Sequence, residues 1–144
     1  MKKLLLVLLF VSGYSFAADP IYTPWFNNLA IKGYDSVAYF TDNKPIEGSE
    51  QFEYQWQGAT WRFSSAHNLA LFKADPEQYA PQYGGYCAYA VAKGKTASIE
   101  PEQFTVLNGK LYLNYNASVQ QKWQAERDSY IEKADKNWPK VLND

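Results

Sequence analysis

The sequence predicts a small α+β domain with two β-hairpins packed against several helices and a long C-terminal helical segment. The first hairpin is indicated by Phe52, Tyr54 and Trp56, which alternate with polar residues before the chain returns at residues 60–63. The second is indicated by Asn108-Gly109 between two apolar runs, because this pair favours the backbone of a two-residue hairpin turn. Hairpins and helices without regular strand–helix alternation are typical of the α+β class.

Caps and breaking residues place the other elements. A short apolar run at residues 37–41 is expected to form a buried strand. Ser64 or Ser65 is positioned to cap the helix that follows the first hairpin. From Ser118 onward the apolar residues recur at helical spacing, and Pro139 is expected to end that helix because proline removes a backbone donor.

The first residues have the three parts of an export signal. Lys2-Lys3 is followed by an apolar run at residues 4–11, and small residues stand at Ser15 and Ala17. The sequence therefore predicts a signal peptide at residues 1–17 and a single domain at residues 18–144, most simply in the periplasm, with secretion further out as the alternative. Since no second apolar segment follows, no stable membrane anchor is expected after cleavage.

Composition excludes several classes of function. The formal net charge is −1 at pH 7, so the chain lacks the basic surface that nucleic-acid binding requires. It has one cysteine, Cys87, and one histidine, His67. A lone cysteine cannot close an intrachain disulfide, and this inventory cannot supply a blue-copper site or a structural zinc site within one copy of the chain. The oligomeric state is left open.

Four segments resemble the exported YHS-domain proteins of bacteria. They are residues 33–40 (GYDSVAYF), 75–88 (DPEQYAPQYGGYCA), 108–114 (NGKLYLN) and 134–139 (ADKNWP). The resemblance implies a YHS-like core module at about residues 50–80, comprising the first hairpin, the following helix and the turn at Pro76. Related modules accompany copper-transporting ATPases and other heavy-metal proteins, so the resemblance also implies a role with metal and a possible metal-handling partner, and it assigns no activity.

The chain departs from the metal-associated relatives at one place. Those modules carry cysteines around the second hairpin strand and the next helix, where this chain has Phe63-Ser64-Ser65. Its thiol, Cys87, lies outside the expected core module. The resemblance therefore supports the fold more strongly than the metal chemistry.

Cys87 and His67 are the candidate metal ligands. Cys87 follows Gly84-Gly85 at the start of an expected helix, where the helix dipole would favour the thiolate. One thiolate and one imidazole can hold a soft ion such as Cu(I) in linear coordination. The plainer interpretation is that Cys87 packs as a small buried hydrophobe and that His67 is an ordinary surface residue.

Two rival functions use the same residues or their neighbours. Cys87 and His67 could instead be the nucleophile and base of a Cys-dependent enzyme or redox protein, although no protease signature surrounds Cys87. Alternatively, Tyr34, Asp35, Tyr83 and Tyr86 could line a pocket for a small ligand or a partner, with the tyrosines otherwise serving core packing. The sequence favours a binding protein, with copper or another soft metal as its expected ligand, over an enzyme.

Overall fold

A computed structural model describes residues 17–143, and within them the chain forms six α-helices and two two-stranded antiparallel sheets. The helices are α1 (Ser36–Thr41), α2 (Ala66–Ala74), α3 (Pro76–Tyr79), α4 (Ala88–Ala92), α5 (Ala117–Ala125) and α6 (Arg127–Asn143). The strands are β1 (Ser49–Trp56), β2 (Ala59–Phe63), β3 (Phe104–Leu107) and β4 (Lys110–Leu113). This arrangement confirms the predicted α+β class and its long C-terminal helical segment. The predicted signal peptide lies almost wholly outside the described residues.

Both predicted hairpins are confirmed. Strands β1 and β2 pair across Gln57-Gly58, and β3 and β4 pair across Asn108-Gly109. All four turn residues have positive φ, from 49° at Gln57 to 78° at Gly58, as a turn of this type requires. The chain before the first hairpin joins its sheet at one point, where Leu29 forms a parallel bridge with Thr60.

The main core lies between the first hairpin and α2. Phe72 of α2 stacks on Trp61 and Phe63 of β2 with ring centroids 4.9 and 5.0 Å apart, and all three side chains are almost fully buried. A second buried group surrounds Trp123 of α5, which packs on Tyr112 of β4. Aromatic rings of both hairpins and of α2 and α5 thus meet in the interior of the domain.

Residues 37–41 form helix α1, so the predicted buried strand at this position is wrong. The cause is Asp35, whose Oδ1 accepts hydrogen bonds from the amides of Val37 and Ala38 and so caps the helix. Its Oδ2 accepts from the amide and hydroxyl of Ser64 and from the side-chain amide of Asn68, at 2.7–2.8 Å. A fully buried carboxylate with five donors ties α1 to the region between β2 and α2.

The C-terminal helical segment is divided and then continues past its proline. Glu126 separates α5 from α6, and α6 contains Pro139, so the prediction that Pro139 ends the helix is wrong. The helix continues because tertiary contacts hold both sides of the proline. Trp138 packs on Tyr83, and the carbonyl of Val141 accepts a hydrogen bond from the amide of Ala18 at 3.1 Å. No helix in residues 17–143 is long and apolar enough to cross a membrane.

Candidate functional site

Cys87 lies at the N-cap of α4 and is 1% exposed. Its Sγ is 3.6 Å from Oδ1 of Asn114, and its amide donates to the carbonyl of Ala97. Burial raises the pKa of the Cys87 thiol, while the backbone N–H groups of residues 89, 90 and 115 lower it by less. The interpretation that Cys87 packs as a buried residue is confirmed, and at neutral pH the side chain is a thiol.

His67 lies in the first turn of α2 and is exposed. Among the described residues, no hydrogen bond joins it to Cys87, and no group of three or more His, Cys, Asp or Glu side chains is placed to hold a metal ion. The residues present therefore do not fit a zinc-type site. A two-donor site made of Cys87 and His67 stays a prediction, and it requires the buried Sγ to reach an exposed imidazole.

The four residues of the predicted tyrosine-lined pocket have different surroundings. Asp35 is buried at the helix cap described above, and the Tyr34 hydroxyl points to Oε1 of Glu102 at 3.4 Å. Tyr83 and Tyr86 both pack on Trp138, with ring centroids 6.1 and 5.9 Å away. Tyr83 lines a cleft beside α6, whereas Tyr86 lines a separate groove beside the N-terminal segment.

A left-handed turn at Tyr83, Gly84 and Gly85 shapes the cleft. Their φ angles are 57°, 62° and 83°, and a positive φ is uncommon for a residue such as tyrosine. Gly84 has no room for a side chain, because a Cβ there would meet the carbonyl oxygen of Pro20. The carbonyl of Gly84 in turn accepts a hydrogen bond from the amide of Tyr22 at 2.8 Å. The turn thus holds the N-terminal segment against the domain.

The cleft beside this turn has a volume of about 420 Å³, which is within the range of small-molecule sites. Its lining comes from the N-terminal segment, the end of β1 with the β1–β2 turn, α3 with the residues after it, the left-handed turn, β4 and α6. The lining residues are Pro20, Ile21, Trp56, Gln57, Glu77, Ala80, Pro81, Gln82, Tyr83, Gly84, Lys110, Asp135, Trp138, Pro139 and Leu142.

Aromatic rings and carboxylates meet in this cleft. Trp56 and Trp138 supply the indole rings, and Glu77 and Asp135 supply two carboxylates against the one ammonium of Lys110. Within the part of the chain that the structure describes, none of the three charged side chains belongs to an ion pair. All three side chains are exposed.

The Tyr83 hydroxyl donates to Oδ1 of Asp135 at 2.7 Å. Burial, together with this hydrogen bond to a carboxylate, raises the pKa of Tyr83 far above its ordinary value, so the hydroxyl stays protonated as a donor. The bond fixes one oxygen of Asp135 and joins the left-handed turn to α6. Sequence reasoning placed Tyr83 in a ligand pocket but missed Trp56, Glu77, Asp135 and Trp138, which no local pattern brings together.

Residues 37–83 match the family model of the YHS domain. The chain contains a YHS domain. The match runs from α1 through the first hairpin, α2 and α3 to Tyr83, so it includes the predicted core at residues 50–80 and extends it at both ends. No curated protein and no solved structure matches the chain. The cleft lies where the end of the YHS domain meets α6.

Burial of Cys87 predicts slow alkylation of the native protein. We expect iodoacetamide to modify Cys87 at pH 8 at least about 100-fold more slowly in the folded chain than in denaturant, because only an opened state exposes the thiol. The measurement is the rate of mass increase by mass spectrometry.

A Cys87→Ser/Ser118→Cys double variant, with its thiol on the exposed start of α5, is the matched control and should react at the rate of a free thiol. A native Cys87 that reacts as fast as this control would show that the thiol is accessible and would contradict the buried position.

Proposed function

We propose that this chain is a non-enzymatic binding protein that holds a small organic cation in the cleft between its YHS domain and α6. The observation that carries the proposal is the presence of two indole rings and two carboxylates in one cleft, with a single ammonium group to oppose them. Quaternary and primary ammonium ligands are bound in this way, by the faces of aromatic rings and by nearby negative charge.

Preorganisation of the cleft supports the proposal. Trp138 packs on Tyr83 and on Tyr86, and Trp56 packs on Trp61 with ring centroids 5.6 Å apart. Asp135 is held by the Tyr83 hydroxyl. Groups that are already in place need less ordering when a ligand binds, which leaves more of the contact energy for affinity.

An enzyme that uses Cys87 is the weaker alternative. Burial keeps the thiol protonated. The thiol donates a hydrogen bond to the side-chain oxygen of Asn114 rather than to an imidazole. A nucleophilic cysteine needs a base within hydrogen-bond reach or a lowered pKa. The proposed location is the periplasm, and its support is the export signal in the sequence.

The test uses choline and its neutral carbon isostere, which have nearly the same shape but differ in charge. We expect choline to bind in the millimolar range or tighter and the isostere at least about threefold more weakly, since cation–π attraction and the carboxylates act only on the charged ligand. Binding is measured by chemical-shift changes of backbone amides and of the indole N–H groups of Trp56 and Trp138.

Two charge variants make the test specific. Asp135→Asn keeps an oxygen that can accept from Tyr83, and Glu77→Gln keeps its shape, so each removes mainly a negative charge from the cleft. Each is expected to weaken choline binding about two- to tenfold. Glu126→Gln makes the same charge change at an exposed position outside the cleft and is the matched control. Equal binding of both ligands, or an equal loss in the control, would overturn the proposal.

A soft metal ion at Cys87 is a second candidate. It is favoured by the resemblance to YHS-domain proteins, whose relatives accompany heavy-metal proteins. To bind copper, Cys87 would have to lose its proton and become accessible to a second copper ligand. The sequence predicts His67 as that ligand.

If Cys87 and His67 hold copper, Cu(I) will bind one per chain in competition with a colorimetric chelator, and both Cys87→Ser and His67→Ala will abolish the competition. Ala70→Ser, a neutral change at an exposed position on the same helix as His67, is the control. No competition by the wild type, or a complex that survives loss of His67, would remove this candidate.

A further inference from the structure

The order of elements in the first half of the domain recurs in the second half. In the first half, an earlier left-handed turn at residues 31–33 leads into α1, a β-hairpin and α2. In the second half, the left-handed turn at residues 83–85 leads into α4, a second hairpin and α5. Residues 30–74 are named the first unit and residues 82–125 the second unit. The same elements thus occur twice in the same order.

The two turns have nearly the same backbone. Residues 31–33 have φ angles of 49°, 51° and 86°, and residues 83–85 have φ angles of 57°, 62° and 83°. Three successive residues with positive φ are uncommon, because residues other than glycine disfavour this region. In each turn the amide of the next residue, Tyr34 or Tyr86, donates to the carbonyl of the first turn residue at 3.0 Å. One backbone structure is therefore built here from two different sequences.

The hairpins and the helices after them correspond at a constant spacing of 51 positions, from 57 to 108 and from 72 to 123. Both hairpin turns have two residues of positive φ, both helices begin at a polar side-chain cap, and each helix buries one large ring. The corresponding pairs are Gln57 and Asn108, Ser65 and Asn116, and Phe72 and Trp123. The left-handed turns are 52 positions apart, from 31 to 83, so the second unit is one residue shorter between its left-handed turn and its hairpin turn.

The correspondence extends to the clefts beside the two hairpins. Three residues that line the cleft described above have counterparts 51 positions later, and these counterparts line a second cleft of about 340 Å³. The pairs are Trp56 and Leu107, Glu77 and Asp128, and Ala80 and Ile131. Leu107 stands where the first cleft has the indole of Trp56. Under the proposed function, cation binding is therefore expected in the first cleft.

Asp35 and Cys87 occupy the same position in their units. Each directly follows the tyrosine that closes the left-handed turn, and each is the N-cap residue of a short helix. The amide of Asp35 donates to the carbonyl of Ile46 at 2.8 Å, and the amide of Cys87 donates to the carbonyl of Ala97 at 3.0 Å. Both side chains are buried, with 0% and 1% of the residue exposed. A carboxylate and a thiol thus stand at one structural position.

The surroundings of these two side chains also correspond. Three backbone amides donate to the carboxylate of Asp35. Burial raises the pKa of the Cys87 thiol, and three backbone amides lower it by less. These donors are the amides of Val37, Ala38 and Ser64 in the first unit and the amides of Tyr89, Ala90 and Tyr115 in the second. The first unit adds donors from the side chains of Ser64 and Asn68. The second unit therefore keeps the three amides that hold a carboxylate in the first.

We propose that the second unit is a second copy of the YHS-type fold, so that the chain contains one structural unit twice in tandem. The family model matches residues 37–83, and a shift of 51 positions places the counterpart of this match at residues 88–134, from α4 into α6. Cys87 is then the counterpart of Asp35 and fills its position in the core as a neutral thiol. This relation between the units does not depend on any ligand of the cleft.

Replacement of Cys87 by aspartate in the full chain tests the equivalence. If position 87 is equivalent to position 35, the three amides of the second unit stabilise the ionised carboxylate and keep its pKa at or below the unfolded value of about 4. The urea midpoint of Cys87→Asp, relative to its neutral isostere Cys87→Asn, is therefore expected to be the same or higher at pH 7 than at pH 4. The amide resonances of residues 89, 90 and 115 are expected to titrate together with the new carboxyl group.

Val91→Asp and Val91→Asn are the matched control pair, because Val91 is also fully buried on α4 but lies in an apolar cluster. Here burial without donors raises the pKa of the carboxyl group, so the relative urea midpoint is expected to fall between pH 4 and pH 7. A fall of the same kind in the Cys87 pair, or a Cys87→Asp chain that does not fold at pH 7, would overturn the proposal. So would an equal response of both pairs, since the effect would then not come from the three amides.

Discussion

The hydrogen bond from the Tyr83 hydroxyl to Asp135, and the left-handed turn from which Tyr83 projects, join three parts of the molecule. Tyr83 is the last residue of the matched YHS domain, and Asp135 lies on α6. The carbonyl of Gly84 accepts a hydrogen bond from the amide of Tyr22 in the N-terminal segment. A positive φ at tyrosine is unfavourable by itself, so the surrounding contacts must hold it. The cleft depends on this junction, because it brings α6 to the end of the YHS domain and holds the N-terminal segment that lines one side of the cleft.

Aromatic rings pack between the hairpin and α2 of the YHS domain, as Phe63 and Phe72 do. The single cysteine of the chain, Cys87, lies beyond the matched segment and is buried in the core. Polar and aromatic groups converge instead at the end of the domain, where α6 covers it. The cleft therefore combines residues of the matched YHS segment, such as Trp56 and Glu77, with residues of α6.

Local signals in the sequence were sufficient for the elements that depend on local contacts. The Asn108-Gly109 turn and the cap at Ser65 act within a few residues, and both are present in the structure. Residues 37–41 were predicted wrongly because Asp35, which caps their helix, is held by Ser64 and Asn68, whose proximity no local pattern reveals.

The candidate site was the least predictable part, for the same physical reason. Tyr83 stood out in the sequence beside two glycines, but its partner Asp135 is 52 positions away. The indoles come from the end of β1 and from the last helix, so that only tertiary packing places them in one cleft. Cys87 and His67 attracted attention because their chemistry is rare in this chain, and rarity in composition carries no information on proximity.

Amide hydrogen exchange in Gly84→Ala tests most directly whether the left-handed turn holds the N-terminal segment. The new methyl group would meet the Pro20 carbonyl, so the Tyr22 amide is expected to exchange at least about tenfold faster than in the wild type. Gly94→Ala is the matched control, because Gly94 also has a positive φ, 75°, but has nothing within 4 Å of an added Cβ. Faster exchange at Tyr22 in Gly84→Ala alone, with amides of the β1–β2 hairpin unchanged, is the predicted result. Unchanged exchange at Tyr22, or equal acceleration in both variants, would contradict the account.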